Sequence, residues 1–171
     1  NFNFNPNNDS NNDITKETTA FDLVAFDSDN EKYYQHIMNV LNYTEKGEYQ
    51  KDYEPQNSNL SEISKVCGSV CYEINQTFHI ALRPVQILVV LRMADEILNN
   101  KKSHGSIGEI KTGEGKSLII TVLSIVIVKY NRKIDIVTSN LQLAKRDHEE
   151  QKQYFNLFDI KTGILYNDKY D

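Results

Sequence analysis

The sequence predicts an α/β fold, a partial parallel sheet preceded by helices, and three observations carry that expectation. From residue 106 onward short and long apolar runs alternate in the order strand, helix, strand, helix, strand. A glycine-bracketed turn, Thr112-Gly113-Glu114-Gly115-Lys116-Ser117, separates the first of these runs from the second. Before it, residues 60–98 place apolar side chains at the three-four spacing of helices.

The first thirteen residues, NFNFNPNNDSNND, hold seven Asn and Pro6. They offer too little apolar surface to order themselves, so residues 1–26 are expected to be a disordered Asn-rich leader. Residues 27–59 are expected to be one short helix and a polar linker. Tyr33, Tyr34, Ile37, Met38, Val40 and Leu41 supply the helical spacing after an Asp27-Ser28-Asp29-Asn30 cluster able to cap it, and Gly47 and Pro55 punctuate the linker. From Leu60 a third unit begins, residues 60–171, expected to be a nucleotide-binding domain. Ile63, Val66, Cys67, Val70, Cys71, Ile74 and Phe78 mark a helix of about five turns, capped by Asn59 or Ser61. Pro84, tolerated in a first helical turn, restarts the chain for a second helix through Leu98. Asn99 to Gly105 reads as a basic, polar connection.

The alternation then runs Ser106–Lys111 (strand), Gly115–Lys129 (helix), Lys133–Thr138 (strand), Leu141–Phe155 (helix capped by Ser139 or Asn140) and Ile160–Leu165 (strand). A βαβαβ order implies parallel strands with right-handed connections. One run opposes its own assignment, because Ile119, Ile120, Val122, Ile125, Val126, Ile127 and Val128 are β-branched and favour strand. Burial overrides so weak a preference, and the helix is retained.

The turn itself has the chemistry of a phosphate loop, which makes the expected fold a P-loop NTPase. Gly113 and Gly115 lack Cβ atoms and can take the left-handed bends that aim successive N–H groups at anionic oxygens. The following helix N-terminus adds free donors and partial positive charge. Lys116 supplies the charge for β/γ phosphates and is the catalytic candidate, and the Ser117 hydroxyl is placed to ligate Mg²⁺. Thr112 and Glu114 complete the loop, with no phosphate contact assigned to Glu114 at its tip. The expected cofactors are ATP and Mg²⁺.

Composition bounds the rest. At 171 residues the chain is about one domain's worth, and its start at Asn1 reads as a cut from something longer. Residues 1–60 hold 11 acids against 4 bases, residues 61–171 hold 13 against 15, so the acidity belongs to the first 60 residues and the rest is near neutral. No basic footprint marks a nucleic-acid partner. The longest apolar run, Leu118 to Val128, contains Thr121 and Ser124 and falls short of a membrane span. Cys67 and Cys71, four apart, read as small buried residues, and unpaired thiols fit a reducing, cytoplasmic compartment.

Two further strings narrow the family. Leu82-Arg83-Pro84-Val85-Gln86 lies before the loop, and Ile136-Val137-Thr138-Ser139-Asn140-Leu141-Gln142-Leu143-Ala144-Lys145-Arg146-Asp147 lies after it. With EIKTGEGKS they resemble the N-terminal half of the first, RecA-like motor domain of the SecA family of preprotein-translocating ATPases, over about Leu60 to Gly163. The resemblance implies that Gln86 reads the adenine edge, a task suited to an amide that donates and accepts at once. It implies that Gly113 to Ser117 hold phosphates and Mg²⁺, and that Arg146 lies toward the nucleotide. Arg83 stands where the family has an aromatic residue, and its planar guanidinium could stack on the base instead. A second RecA-like lobe and a polypeptide substrate are the implied partners. A superfamily-two nucleic-acid helicase and a degenerate nucleotide-binding scaffold are the alternatives. The pair Asp95-Glu96 imitates the acidic pair of a motor but precedes the loop on an expected helix. Without such a pair after the second strand, this stretch is not expected to hydrolyse ATP alone.

Overall fold

The computed structural model describes residues 28–99 and 107–165. The expected leader, residues 100–105 of the expected basic connection and Ser106 of the first expected strand lie outside the described residues. Among the described residues the chain forms α1 (Ser28–Lys46), α2 (Leu60–Phe78), α3 (Pro84–Asn99), α4 (Lys116–Lys129) and α5 (Leu141–Leu157).

Among the described residues the parallel sheet is absent. No described segment is a strand, so the expected α/β, RecA-like P-loop NTPase sheet is corrected to an all-helical arrangement, and its right-handed strand connections go with it. Residues 107–111, 133–138 and 160–165, which short apolar runs marked as strands, have no ladder partner. A strand is stabilised by the neighbour that takes its N–H and C=O groups, and an unpaired one gains nothing from its side-chain pattern. The pattern also misjudged burial, since Ile107, Val137 and Leu165 are 102%, 91% and 95% exposed. A short apolar run does not by itself distinguish a strand from any other apolar segment.

The helices hold the core instead. α2 presents Ile63, Val66, Cys67, Val70 and Ile74 to Tyr33, Ile37 and Val40 of α1 and to α3 and α4, all of them buried. α1 and α2 approach so closely at Gly68 that a Cβ there would stand 2.6 Å from the Tyr43 side chain. Caps set the ends of α2. The Asn59 side chain accepts from the Glu62 N–H at 2.9 Å, and His79 closes the helix at φ 56° with its N–H on the Asn75 carbonyl. Pro84 then opens α3, as the sequence predicts.

The β-branched run is helix, and the reason is burial of most of it, Ile120 being 40% exposed. Ile119, Val122, Ile125, Val126 and Ile127 are at most 1% exposed, against α2, α3 and α5. Each such side chain contributes about 1.5–3 kcal/mol when fully buried, well above a propensity deficit of under about 0.7 kcal/mol per residue. The polar interruptions are satisfied locally: Thr121 and Ser124 bond back to the Ser117 and Ile120 carbonyls at 2.8 and 2.7 Å. The buried Thr121 hydroxyl also lies 2.9 Å from Gln151 Oε1, which ties α5 to the first turns of α4.

The polar stretch between α1 and α2 is pinned down. Tyr43, Tyr49 and Tyr53 stack edge to face at centroid distances of 4.8 Å. The Tyr53 hydroxyl, the Gln56 N–H and the Lys65 ammonium all reach the buried Glu62 carboxylate. Burial alone would raise the Glu62 carboxyl, but these donors outweigh it and hold it below the usual carboxylate range.

Candidate functional site

Residues 111–117 form a tight turn that delivers the chain into α4. The Glu114 N–H bonds to the Lys111 carbonyl at 3.3 Å, and Gly113 and Gly115 take φ of 87° and 75°, the left-handed conformations the sequence requires of them. Gly115 is the N-cap of α4, and no side chain caps the helix there. Asn59 and Asn140 do cap α2 and α5. The first-turn N–H groups of α4 therefore face outward with their share of the helix dipole, an arrangement suited to an anion.

Lys116 begins the helix and folds back over the turn, its ammonium donating to the Lys111 carbonyl at 2.8 Å. That carbonyl thus accepts from both Glu114 and Lys116, which closes the turn on itself. Thr112, Gly113, Lys116 and Ser117 are exposed, so the donors are open to a ligand. Ser117 stands beside Lys116 on the first turn of α4.

Arg83 and Gln86, from the start of α3, meet the tip of the turn. The buried Gln86 side chain accepts from the Arg83 N–H through Oε1 and donates through Nε2 to the Glu114 carbonyl, both at 2.9 Å. An Arg83 Nη2 lies 2.9 Å from Glu114 Oε2, across a partly exposed ion pair. A Cβ at Gly115 would stand 2.6 Å from Gln86 Nε2, so glycine is needed there for clearance as well as for φ. The structure thus gathers Gln86, Arg83, Glu114, Gly115 and Lys116 around one turn.

Arg146 is not gathered with them. It is exposed on α5 and makes its contacts on its own helix, with Asp147 at 2.6 Å and Glu150 at 3.9 Å. Asp95 lies on α3 away from the turn, accepting from Lys32, Tyr33 and Asn99, and Glu96 follows it on the same helix. Cys67 and Cys71 lie side by side in the core with sulfurs 4.0 Å apart. The contact that sequence reasoning missed is Glu114 with Arg83 and Gln86. Arg83 and Gln86 stand 28 or more positions before Glu114, and no local pattern in the sequence signals their meeting.

Comparison with known proteins agrees with the strings around this turn. The chain is 34% identical over 69 residues, 40% of its length and 8% of the relative's, to the protein translocase subunit SecA of Campylobacter fetus subsp. fetus. It is 41% identical over 63 residues to that of Antithamnion sp., covering 37% of this chain and 7% of the relative. With that of Prochlorococcus marinus it is 28% identical over 119 residues, 68% of this chain and 13% of the relative. The chain therefore spans a small part of the length of the curated relatives it matches. No solved structure matches it. The family model described as SecA DEAD-like domain matches residues 8–171, nearly the whole length, and the chain belongs to that family.

Proposed function

We propose that the turn at the start of α4 binds the phosphate tail of ATP with Mg²⁺, as the nucleotide site of a motor that moves polypeptide. The observation that carries this is the combination at one helix start: an uncapped N-terminus, two glycines in left-handed conformations and a lysine whose ammonium rests on a carbonyl of the same turn. The donor set fits the ligand. Exposed backbone N–H groups and Lys116 suit phosphate oxygens, and the Ser117 hydroxyl suits Mg²⁺, which would neutralise charge between the phosphates. A polyphosphate would draw Lys116 off the Lys111 carbonyl. Gln86, with one amide N–H and one oxygen lone pair still available, would meet the adenine edge.

Polypeptide as the substrate class is supported by the relatives, each a protein translocase subunit SecA. On this proposal residues 28–165 hold nucleotide without turning it over. Hydrolysis needs a carboxylate against Mg²⁺ and the attacking water, and Asp95 is already engaged by Lys32, Tyr33 and Asn99. Binding of fluorescent N-methylanthraniloyl-ATP with Mg²⁺ tests the proposal. Lys116→Ala removes a charge-assisted contact of about 1.5–3 kcal/mol and should weaken binding about tenfold to a hundredfold. Unchanged affinity would overturn it.

A further inference from the structure

Resting on the nucleotide proposal above, the geometry points to Glu114 as a positioning residue for base discrimination. Arg83, Gln86 and Glu114 form a closed ring of contacts. The Arg83 N–H donates to Gln86 Oε1, Gln86 Nε2 donates to the Glu114 carbonyl, and the Glu114 carboxylate returns to the Arg83 guanidinium, each at 2.9 Å. Residues 83 and 114 are thereby joined by two independent routes.

The ring fixes which way the Gln86 amide faces. Were the amide flipped, Nε2 would confront the Arg83 N–H and Oε1 would confront the Glu114 carbonyl, donor against donor and acceptor against acceptor. Held as it is, the buried amide keeps one N–H and one lone pair in a set order. Adenine presents an N6–H₂ donor beside the N7 acceptor, which such an amide matches, whereas guanine presents two acceptors, O6 and N7. Glu114 therefore acts at a distance from the base. Its carbonyl sets the amide, and its carboxylate keeps Arg83, whose N–H is the amide's other anchor, in place.

The Arg83–Glu114 pair has a single point of contact, Nη2 to Oε2, and both side chains are partly exposed. Its weight is accordingly modest, about two- to fivefold in binding. A one-point ion pair also makes a distinct demand: lysine can replace arginine. If Arg83 instead acted by laying its plane on the base, lysine could not.

The experiment uses the full-length protein and N-methylanthraniloyl derivatives of ATP and GTP with Mg²⁺. Glu114→Gln should weaken the ATP derivative by about two- to fivefold and narrow the ratio of the two affinities. The same change in an Arg83→Ala background should add nothing, while Arg83→Lys should keep both affinity and ratio. Additive losses in the double variant, equal losses for both nucleotides, or Arg83→Lys behaving as Arg83→Ala would each overturn the assignment while leaving nucleotide binding intact. Failure of the unaltered protein to bind either derivative would remove the nucleotide proposal and this one together.

Discussion

Gly113 and Gly115 look interchangeable in the sequence, and replacing each with alanine separates what the structure says about them. Gly113 has φ 87° and nothing within 4 Å of a built Cβ, so Gly113→Ala meets backbone strain alone. That strain is roughly 1–2 kcal/mol, reduced by about 0.4–1 kcal/mol because alanine restricts the unfolded chain. The net cost is about 1 kcal/mol. Gly115→Ala meets the same strain at φ 75° and also drives a Cβ to 2.6 Å from Gln86 Nε2. The Gln86 amide must withdraw, breaking its bonds to the Glu114 carbonyl and the Arg83 N–H, which adds about 1–3 kcal/mol for buried partners left unmatched. Urea denaturation followed by the helical circular dichroism signal resolves this. With a slope of about 1–3 kcal/mol/M the Gly115 variant should unfold at least about 0.3 M below the Gly113 variant. In a Gln86→Ala background the gap between the two should close. Equal midpoints in the native background, or a gap that survives loss of Gln86, would refute the claim that Gln86 fills the space a Cβ would need.

The same assay reaches the rest of the fold. Ile37 on α1 is fully buried against α2, so Ile37→Ala should cost about 2–5 kcal/mol and shift a single unfolding transition, whereas a separate early loss of α1 would mean that the helix is not part of the common core. Glu62 has its carboxyl held below the usual range, so its contribution is present above the ordinary carboxylate pKa of about 4.3 and is lost as pH falls through the lower folded value. Urea midpoints measured across that acid window should therefore fall less steeply for Glu62→Gln than for the native chain. Asp95, which Asn99, Tyr33 and Lys32 hold down against its burial, titrates in the same direction and contributes to the slope that remains.

The helices were legible because their signals are local. The three-four spacing of α2, the Asn59 and Asn140 caps and Pro84 at the head of α3 each act within a turn or two of chain. α4 was legible only by weighing two forces, since its β-branched residues favour strand and its apolar faces demand burial. The strands failed because pairing is a property of two segments and neither contains it. Ile136 and Val137 alternate with nothing, yet a run such as Ile134 to Val137 reads as half-buried in one dimension. How the linker packs was not legible for a related reason: Tyr49 and Tyr53 look like scattered aromatics among polar residues until α2 places Glu62 beneath them. At the site, the left-handed glycines and Lys116 were written in the turn itself. The Gln86 bond to the Glu114 carbonyl, spanning 28 positions, was not.

That long-range bond explains how an all-helical arrangement can set a turn so closely. Both partners stand at helix starts, Gln86 in the first turn of α3 and Glu114 just before α4. The two helices pack directly on each other, with Ile87, Val90 and Leu91 of α3 and most of α4 buried in the common core. Packing of this density moves little without breaking contacts, so the distance between the two helix starts is inherited from the core. Anything that slides α3 along α4 must stretch the Gln86 bond and the Arg83–Glu114 pair together. The shape of the turn is thus tied to α3–α4 packing through the contacts that Gln86 and Arg83 make with Glu114.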